Sequence, residues 1–327
     1  MKYIVLPEQT ALSRITFDFA VEEYAARYLT DDDYCFIWQT KPTVIIGRNQ
    51  LLDNEVNTDY CKEHNIFVAR RKSGGGCVYS DPGNLMFSFI SNEPDTQKMF
   101  KDCMTGIAEA LCRLNIPATL SGRNDILVDG KKVAGAAFFR TGRRGVMHNT
   151  LLFRSDMTAL QRAITPTKEK LQSKGVKSVS QRVANISDYT TLTLDEFKQK
   201  MRQELCGDDA VVIGEEELKV IQTLEAPFAD EKFIYGRRPT HTIVHKKRIP
   251  DVGSMEVYLE LKDGHIHDLD IIGDYFLTGD LDRELISLLR RKDYTPEAVT
   301  EALKGTDIGM VIRNLTLEHL LEVMFED

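Results

Sequence analysis

The sequence predicts an α+β protein built from one large domain and one small one. The first observation behind this is length: 327 residues are more than one small core organises and suit a large domain plus a small one. The second is the order of elements. Short strand-like runs follow one another through the first half as a meander, with helices around them, instead of alternating in regular βαβ units. The third is a shift in composition near residue 250. From Asp251 to Asp327 there are 18 acidic against 7 basic residues, a net of −11, so the first 250 residues carry about +3 of the overall −8. This asymmetry predicts that an acidic partner meets the first part. The expected domains are 1–245 and 252–327. The basic segment GRRPTHTIVHKKRIPD (236–251), with its two prolines, is the linker candidate.

Taken in order, residues 11–29 carry apolar side chains at helical spacing and read as an amphipathic helix. YCFIWQ (34–39) and TVIIG (43–47) read as strands joined by a Lys-Pro turn. A short helix is expected over 57–65 and a buried strand over 66–70. The stretch from Arg70 to Ser88, RRKSGGGCVYSDPGNLMFS, then reads as a hairpin, with NLMFSFIS (84–91) as its return strand. Residues 95–114 form a helix with Met99, Cys103, Ile107 and Leu111 along one stripe. NDILV and KVAGAAFF are strands about Asp129-Gly130, a two-residue hairpin signal. The basic turn RTGRRG leads to the strand VMHNTLLF. A polar connection covers 154–190, and helices are expected at 193–206 and 214–225. In the small domain, two strands flank Asp263-Gly264, and helices follow at 280–291, 295–304 and 316–325.

The totals exclude several function classes. Hydrophobic content of 42% and charged content of 28% are ordinary for a globular protein. The net negative charge disfavours wholesale nucleic-acid binding. No apolar run approaches membrane-spanning length. The N-terminus is too short for a signal peptide. The six cysteines include no CxxC pair and no histidine at a zinc-finger interval, so a reducing, cytoplasmic setting is expected. No GxxxxGK[ST] occurs, which argues against a P-loop.

Two stretches carry chemistry. In Arg70–Ser88, three adjacent glycines sit beside Arg70, Arg71 and Lys72. Bare backbone with free N–H groups next to positive charge suits a phosphate or carboxylate; a glycine-rich hairpin under a basic patch is the plainer alternative. In GRNDILVDGKKVAGAAF (122–138), Gly135 and three alanines remove bulk from a strand that carries Lys131 and Lys132. Adjacent strand residues face opposite ways, so only one of these lysines can enter a pocket. His265 and His267 share a strand face, but without a third ligand in view they read as exposed strand residues.

Together, R-R-x-S-G-G-G-x-V, D-x-G-N-L, N-D-I and G-x-K-V-A-G-x-A resemble the lipoate–protein ligase family. The resemblance continues through H-N-T-L-L (148–152) and K-G-V-K-S-V (174–179). It also takes in I-x-G-D-Y-F (271–276), which looks like the family's accessory C-terminal domain. The resemblance implies a mixed β-sheet catalytic domain of the biotin/lipoate ligase type flanked by helices, with a small α/β accessory domain. It implies two steps: ATP converts lipoate to lipoyl-adenylate with release of pyrophosphate, and an acceptor lysine then takes the lipoyl group and releases AMP. Acceptors in the family are lipoyl domains of the glycine cleavage H protein or of 2-oxoacid dehydrogenase E2 subunits. A monomer binding neither nucleic acid nor membrane is expected.

Carried over residue by residue, Lys132 is the catalytic match. Arg71, Gly74, Gly75, Gly76, Cys77, Val78, Tyr79, Asn124 and Asp125 match adenylate-binding positions. Phe17, Phe19, Trp38, Arg70, Ser73, Asn84, Gly135 and His148 match lipoate-binding ones. Asp125 is the candidate for orienting Mg²⁺, which takes one or two carboxylates plus substrate phosphates; a strand-end turn residue is the alternative. Trp38 is either tunnel wall or core, and His148 either a tunnel residue or a hydrogen-bonded core histidine. Tyr79-Ser80 stands where many relatives have an aromatic followed by histidine. Arg140, Arg143 and Arg144 read as a mobile loop over the adenylate, as a contact for an acidic acceptor, or as a solvated turn. Two other activities compete: an ATP-independent octanoyl or lipoyl transferase with Cys77 as nucleophile, and a non-catalytic lipoate-binding protein.

Overall fold

A computed structural model describes residues 1–7, 14–121, 124–164, 183–236 and 241–326. The K-G-V-K-S-V motif, about half of the polar connection, Gly122 and Arg123, the first residues of the predicted N-terminal helix and positions 237–240 lie outside the described residues.

The centre is an eight-stranded mixed sheet. In chain order its strands are β1 (Lys2–Val5), β2 (Tyr34–Trp38), β6 (Asn84–Ser91), β7 (Ala118–Ser121), β8 (Asp125–Val128), β9 (Lys131–Thr141), β10 (Arg144–Leu152) and β11 (Ala210–Val212). Across the sheet the order is β11-β1-β2-β6-β10-β9-β8-β7. β1 runs parallel to both neighbours and the other pairs are antiparallel. Side chains alternate between two cores, as strand pleating requires. Cys35, Ile37, Leu85, Phe87 and Phe89 face the helices Thr96–Arg113 and Leu194–Cys206. Tyr34, Phe36, Trp38, Met86 and Ile90 face the helices Ile15–Tyr28 and Glu215–Ala229. A second sheet, β4-β3-β5, pairs β3 (Thr43–Ile46) in parallel with β4 (Phe67–Arg70) and antiparallel with β5 (Val78–Ser80).

Several expectations need correction. The Ile15–Tyr28 helix is not amphipathic: every residue from Ile15 to Ala26 is buried. The Glu215–Ala229 helix covers the side that would otherwise meet water. Three acids, Asp18, Glu22 and Glu23, are buried with it. β2 and β3 are not a hairpin, because β2 is apolar on both faces and fills the middle of the large sheet while β3 crosses to the small one. Nor do β4 and β6 pair. The glycine stretch instead carries the chain from one sheet to the other by way of β5, then turns at Asp81, whose carboxylate accepts from Gly83 N at 2.9 Å. The Asp129-Gly130 hairpin is as expected, with φ of 49° and 73° at the two turn residues.

The C-terminal unit packs β12 (Ile243–Ile249), β13 (Gly253–Lys262) and β14 (His265–Gly273) against helices that include Pro296–Ala302 and Leu317–Phe325. Much of the expected linker is therefore strand. Its cations fit there because the unit supplies their partners: Lys246 pairs with Glu256 at 2.9 Å, Lys247 with Glu322 at 2.7 Å and Arg248 with Asp274 at 3.7 Å. This redistributes the charge. Lys246, Lys247 and Arg248 account for the whole +3 of residues 1–250, so the basic excess belongs to the edge strand of the acidic unit and the catalytic part is close to neutral. The two units meet at the glycine loop. Gly75 N donates to Tyr275 O and Gly273 N to Asn49 O, both at 2.9 Å.

Candidate active site

β9 places the lysine. Its pairing with β8 slips between Ile126 and Leu127, and this bulge turns Lys132 opposite Leu127 and Lys131 opposite Val128. Lys131 is exposed and Lys132 half-buried. Lys132 Nζ lies 2.7 Å from Asp125 Oδ1. Its side chain folds back over Gly135, where an added Cβ would sit 2.8 Å from Nζ. Ala184 N donates to Lys132 O at 3.0 Å and pins the backbone from the other side. Asn124 clips onto β9, giving Nδ2 to Ala136 O at 2.9 Å.

The two arginines of the glycine stretch have different tasks. Arg70 is 4% exposed and spends its guanidinium on the carbonyls of Gly47, Arg48, Gln50, Phe233 and Ile234. It ties β4 to the Gly47–Gln50 turn and to the helix Glu231–Tyr235. The expected lipoate contact through Arg70 is thus replaced by a structural role. Arg71, also 4% exposed, turns inward and donates to Ser73 Oγ and to the carbonyls of Ile45, Gly74 and Gly76. Burial pushes its guanidinium down to about 10, still charged at neutral pH. Among the described residues, none of its hydrogen-bond partners is a carboxylate.

Arg71 and Lys132 share a cavity of about 120 Å³ with Phe19, Gly75, Gly76, Cys77, Val78, Asn124, Gly135 and His148. Ala136 and Ala137, two of the three alanines read as removing bulk, also line it; Ile45, Met86, Thr150 and Phe276 complete the wall and were not expected from sequence. Phe276 comes from the C-terminal unit: a Cβ on Gly75 would lie 2.8 Å from its ring, and one on Gly74 would lie 2.5 Å from Tyr275 O. Two of the three glycines therefore admit another part of the chain, and only Gly76 faces open space. Asp125 lines an adjoining cleft of about 610 Å³, which shares Asn124 with the cavity.

Other expected residues stand behind the wall. Phe17 and Trp38 belong to the core around the Ile15–Tyr28 helix. Tyr79 points the opposite way, into a cluster with Val44, Ile46 and Leu160, so only its backbone can serve the site. Asn84 is fully buried and gives Nδ2 to Ser80 Oγ at 3.1 Å. In the basic turn Arg143 is exposed, while the turn's other two arginines are tied to the backbone. Arg140 donates to Glu93 O and Pro94 O, and buried Arg144 donates to the carbonyls of Leu29, Asp32 and Ile90.

Sequence reasoning missed a buried polar group beside the cavity. His148 and Ser88 are direct cross-strand partners. Ser73 Oγ lies 2.6 Å from His148 Nε2, and His148 Nδ1 lies 3.1 Å from Glu22 Oε1. Glu22 Oε1 also accepts from Ser88 Oγ at 2.6 Å, and Ser88 Oγ accepts from Trp38 Nε1 at 2.9 Å. The available signal was Glu22 itself, an acid one helical turn after Phe19 on the helix that also carries Asp18 and Glu23.

Residues 14–206 match the model of the lipoyl protein ligase A/B catalytic domain. Residues 238–324 match the bacterial lipoate protein ligase C-terminus. The chain belongs to the lipoate–protein ligase family. It is 37% identical to the lipoate-protein ligase LplJ of Bacillus subtilis, over 94% of this chain and 96% of that protein. It is 34% identical to lipoate–protein ligase 1 of Staphylococcus aureus, over 88% and 90%. The fold matches that of P. falciparum LipL1 solved in complex with lipoate, with a TM-score of 0.77 at 23% identity over 96% of this chain and 95% of that one. A bi-partite ligase from Thermoplasma acidophilum, described with its E2 lipoyl domain, matches 74% of this chain and 98% of that one, with a TM-score of 0.63 at 25% identity. Both units of this lipoate–protein ligase are thus accounted for. Among its described residues no helix is long and apolar enough to cross a membrane, and no three-residue cluster could hold a metal.

Proposed function

We propose that Arg71, Lys132 and the Gly75–Val78 backbone form the adenylation centre of an ATP-dependent lipoate–protein ligase. The observation that carries this reading is a buried guanidinium with no contacting carboxylate among the described residues, lining the same small cavity as a lysine. Such a cation awaits an anion. The first step joins two anions, lipoate and the α-phosphate of ATP. A carboxylate oxygen attacks phosphorus, the bond to the β-phosphate oxygen breaks, and pyrophosphate leaves. Lys132 and Arg71 offset the mutual repulsion and hold the charge that builds on oxygen. In the second step an acceptor lysine amine attacks the acyl carbon, the bond to AMP breaks, and the amine gives up its proton.

Mg²⁺ enters with ATP as part of the substrate. Asp125, in the cleft that adjoins the cavity, is the carboxylate we assign to orient it, which suits an ion that takes most of its ligands from phosphates and water. The apolar side of the cavity, with Phe19, Ile45 and Met86, suits the acyl chain. At about 120 Å³ the space is below the roughly 300 Å³ at which ligand pockets begin. Phe276 is therefore read as part of a cover that withdraws with the C-terminal unit, whose boundary we place between Gly236 and Ile243. The acceptors are read as lipoyl domains of H-protein or E2 type, and the enzyme as a cytoplasmic monomer. The near-neutral catalytic part no longer supports docking through net charge.

The test is pyrophosphate release from ATP, Mg²⁺ and lipoate, followed by a mass shift on an added lipoyl domain. Lys132→Ala is expected to lower the first by about 10²- to 10³-fold. Wild-type enzyme that lipoylates without ATP, through Cys77, would overturn the reading.

A further inference from the structure

Six buried side chains form one hydrogen-bonded line from the core to the adenylation cavity. Trp38 is 3% exposed, Ser88 0%, Glu22 1%, His148 4%, Ser73 1% and Arg71 4%. Their chemistry fixes the direction of every bond. Indole Nε1–H and guanidinium Nε–H can only donate. From one end, Trp38 donates to Ser88 Oγ at 2.9 Å, so the Ser88 proton goes to Glu22 at 2.6 Å. From the other, Arg71 Nε donates to Ser73 Oγ at 2.9 Å, so the Ser73 proton goes to His148 Nε2 at 2.6 Å. His148 Nε2 is then an acceptor, and Nδ1 must carry the ring proton, 3.1 Å from Glu22 Oε1. Both lines of donors end on the Glu22 carboxylate. An imidazolium, or a ring protonated at Nε2, would give Ser73 Oγ two donors and leave its own proton without an acceptor. Protonation at Nε2 alone would also set the Nδ1 lone pair against the carboxylate.

We propose that Glu22 is a positioning residue for Arg71. It supplies the negative charge that Arg71 lacks among its direct contacts, conveyed through neutral His148 and Ser73, and thereby fixes the guanidinium against the glycine loop. The charge sits two side chains away, so it orients Arg71 without neutralising it by contact, and the cavity side stays attractive to an anion. The role assigned to Arg71 rests on the adenylation reading; the proton positions do not.

The test has two arms. In full-length enzyme labelled with ¹⁵N-histidine, His148, assigned by its loss in His148→Gln, is expected as the neutral Nδ1–H tautomer. Glu22→Gln brings an NH₂ group into the line, so one donor chain must reverse or break. It is expected to lose the fixed tautomer and to lower kcat/KM for lipoate-dependent pyrophosphate release by about 10- to 100-fold, the range set by one charge-assisted hydrogen bond. Glu22→Asp, which keeps the charge, is expected to recover part of this. Ser73→Ala, a smaller change, is expected to cut the rate similarly while leaving the Nδ1–H tautomer in place. An imidazolium or Nε2–H tautomer in the wild type would overturn the proposal, and so would wild-type kcat/KM in both Glu22→Gln and Ser73→Ala. Wild-type enzyme with no lipoate-dependent pyrophosphate release would sink the adenylation reading and this role for Arg71, while the tautomer would remain as found.

Discussion

Gly135→Ala separates stability from catalysis. The glycine does not have a positive φ, so alanine fits its backbone, and the loss of freedom in the unfolded chain stabilises by about 0.4–1 kcal/mol. The new methyl meets only the flexible end of Lys132, at 2.8 Å from Nζ and 2.9 Å from Cε, while Asp125 Oδ1 stays at an ordinary 3.6 Å. Restoring Nζ to a 3.4 Å contact displaces it by about 0.6 Å. The lysine moves, the carboxylate does not, and their 2.7 Å contact is lost or bent. A misplacement near 1 Å costs on the order of 10²-fold. Lipoate-dependent pyrophosphate release should therefore fall by about 10- to 100-fold, with a melting temperature unchanged or slightly raised. Wild-type turnover in Gly135→Ala, with Lys132→Ala inactive, would show that the rate is insensitive to how Lys132 is aimed. Wild-type turnover in both would remove Lys132 from the chemistry.

Four further outcomes follow from the same contacts. Arg70→Ala strands five carbonyls around a cavity and should destabilise by about 3 kcal/mol or more, read by denaturant unfolding. Cys77→Ala should leave ATP-dependent lipoylation of an acceptor domain intact, as followed by mass spectrometry. Phe276→Ala should expose the adenylate, raising AMP formation from ATP and lipoate in the absence of acceptor. Burial alone would raise the Glu23 carboxyl, but its hydrogen bonds and ion pairs with Lys72 and Arg27 outweigh this and hold it below its usual 4.5. A depressed carboxyl stabilises the fold above its unfolded pKa and loses that contribution as pH falls through the folded one. Glu23→Gln should thus flatten the acid limb of the stability curve measured below about pH 5.

Strands were legible where their side chains alternate or their turns force φ, as at Asp129-Gly130. Their partners were not. Nothing within TVIIG shows that it leaves the sheet YCFIW joins, because both runs are apolar on both faces and pairing is decided by distant strands. The basic strand Ile243–Ile249 was hidden by its own charges, which suit a linker until Glu256, Glu322 and Asp274 are brought beside them. Within the site, motif position located Arg71, Lys132, Gly135 and His148 at the cavity. It failed for Arg70, because two adjacent arginines in one motif read alike until the fold shows that both are buried against carbonyls and only Arg71 lines the cavity.

The triple glycine shows the limit most clearly. Glycine in sequence reports that something comes close, without saying what. Here Gly74 and Gly75 admit Tyr275 and Phe276, and of the three only Gly76 has open space where a Cβ would stand. The same bare backbone can therefore serve two occupants in turn: the small unit when it is docked, and the adenylate when that unit withdraws. A side chain at Gly75 would disturb both, since its φ of 85° is strained for any L residue and its Cβ would meet the Phe276 ring and, at 3.2 Å, Arg71. Gly76 has no such neighbour. Gly76→Ala should leave docking and stability nearly untouched and act only on substrate binding, which makes it the cleaner probe of whether this loop holds phosphate. An unchanged KM for ATP in Gly76→Ala would mean that the loop is shaped for the small unit alone.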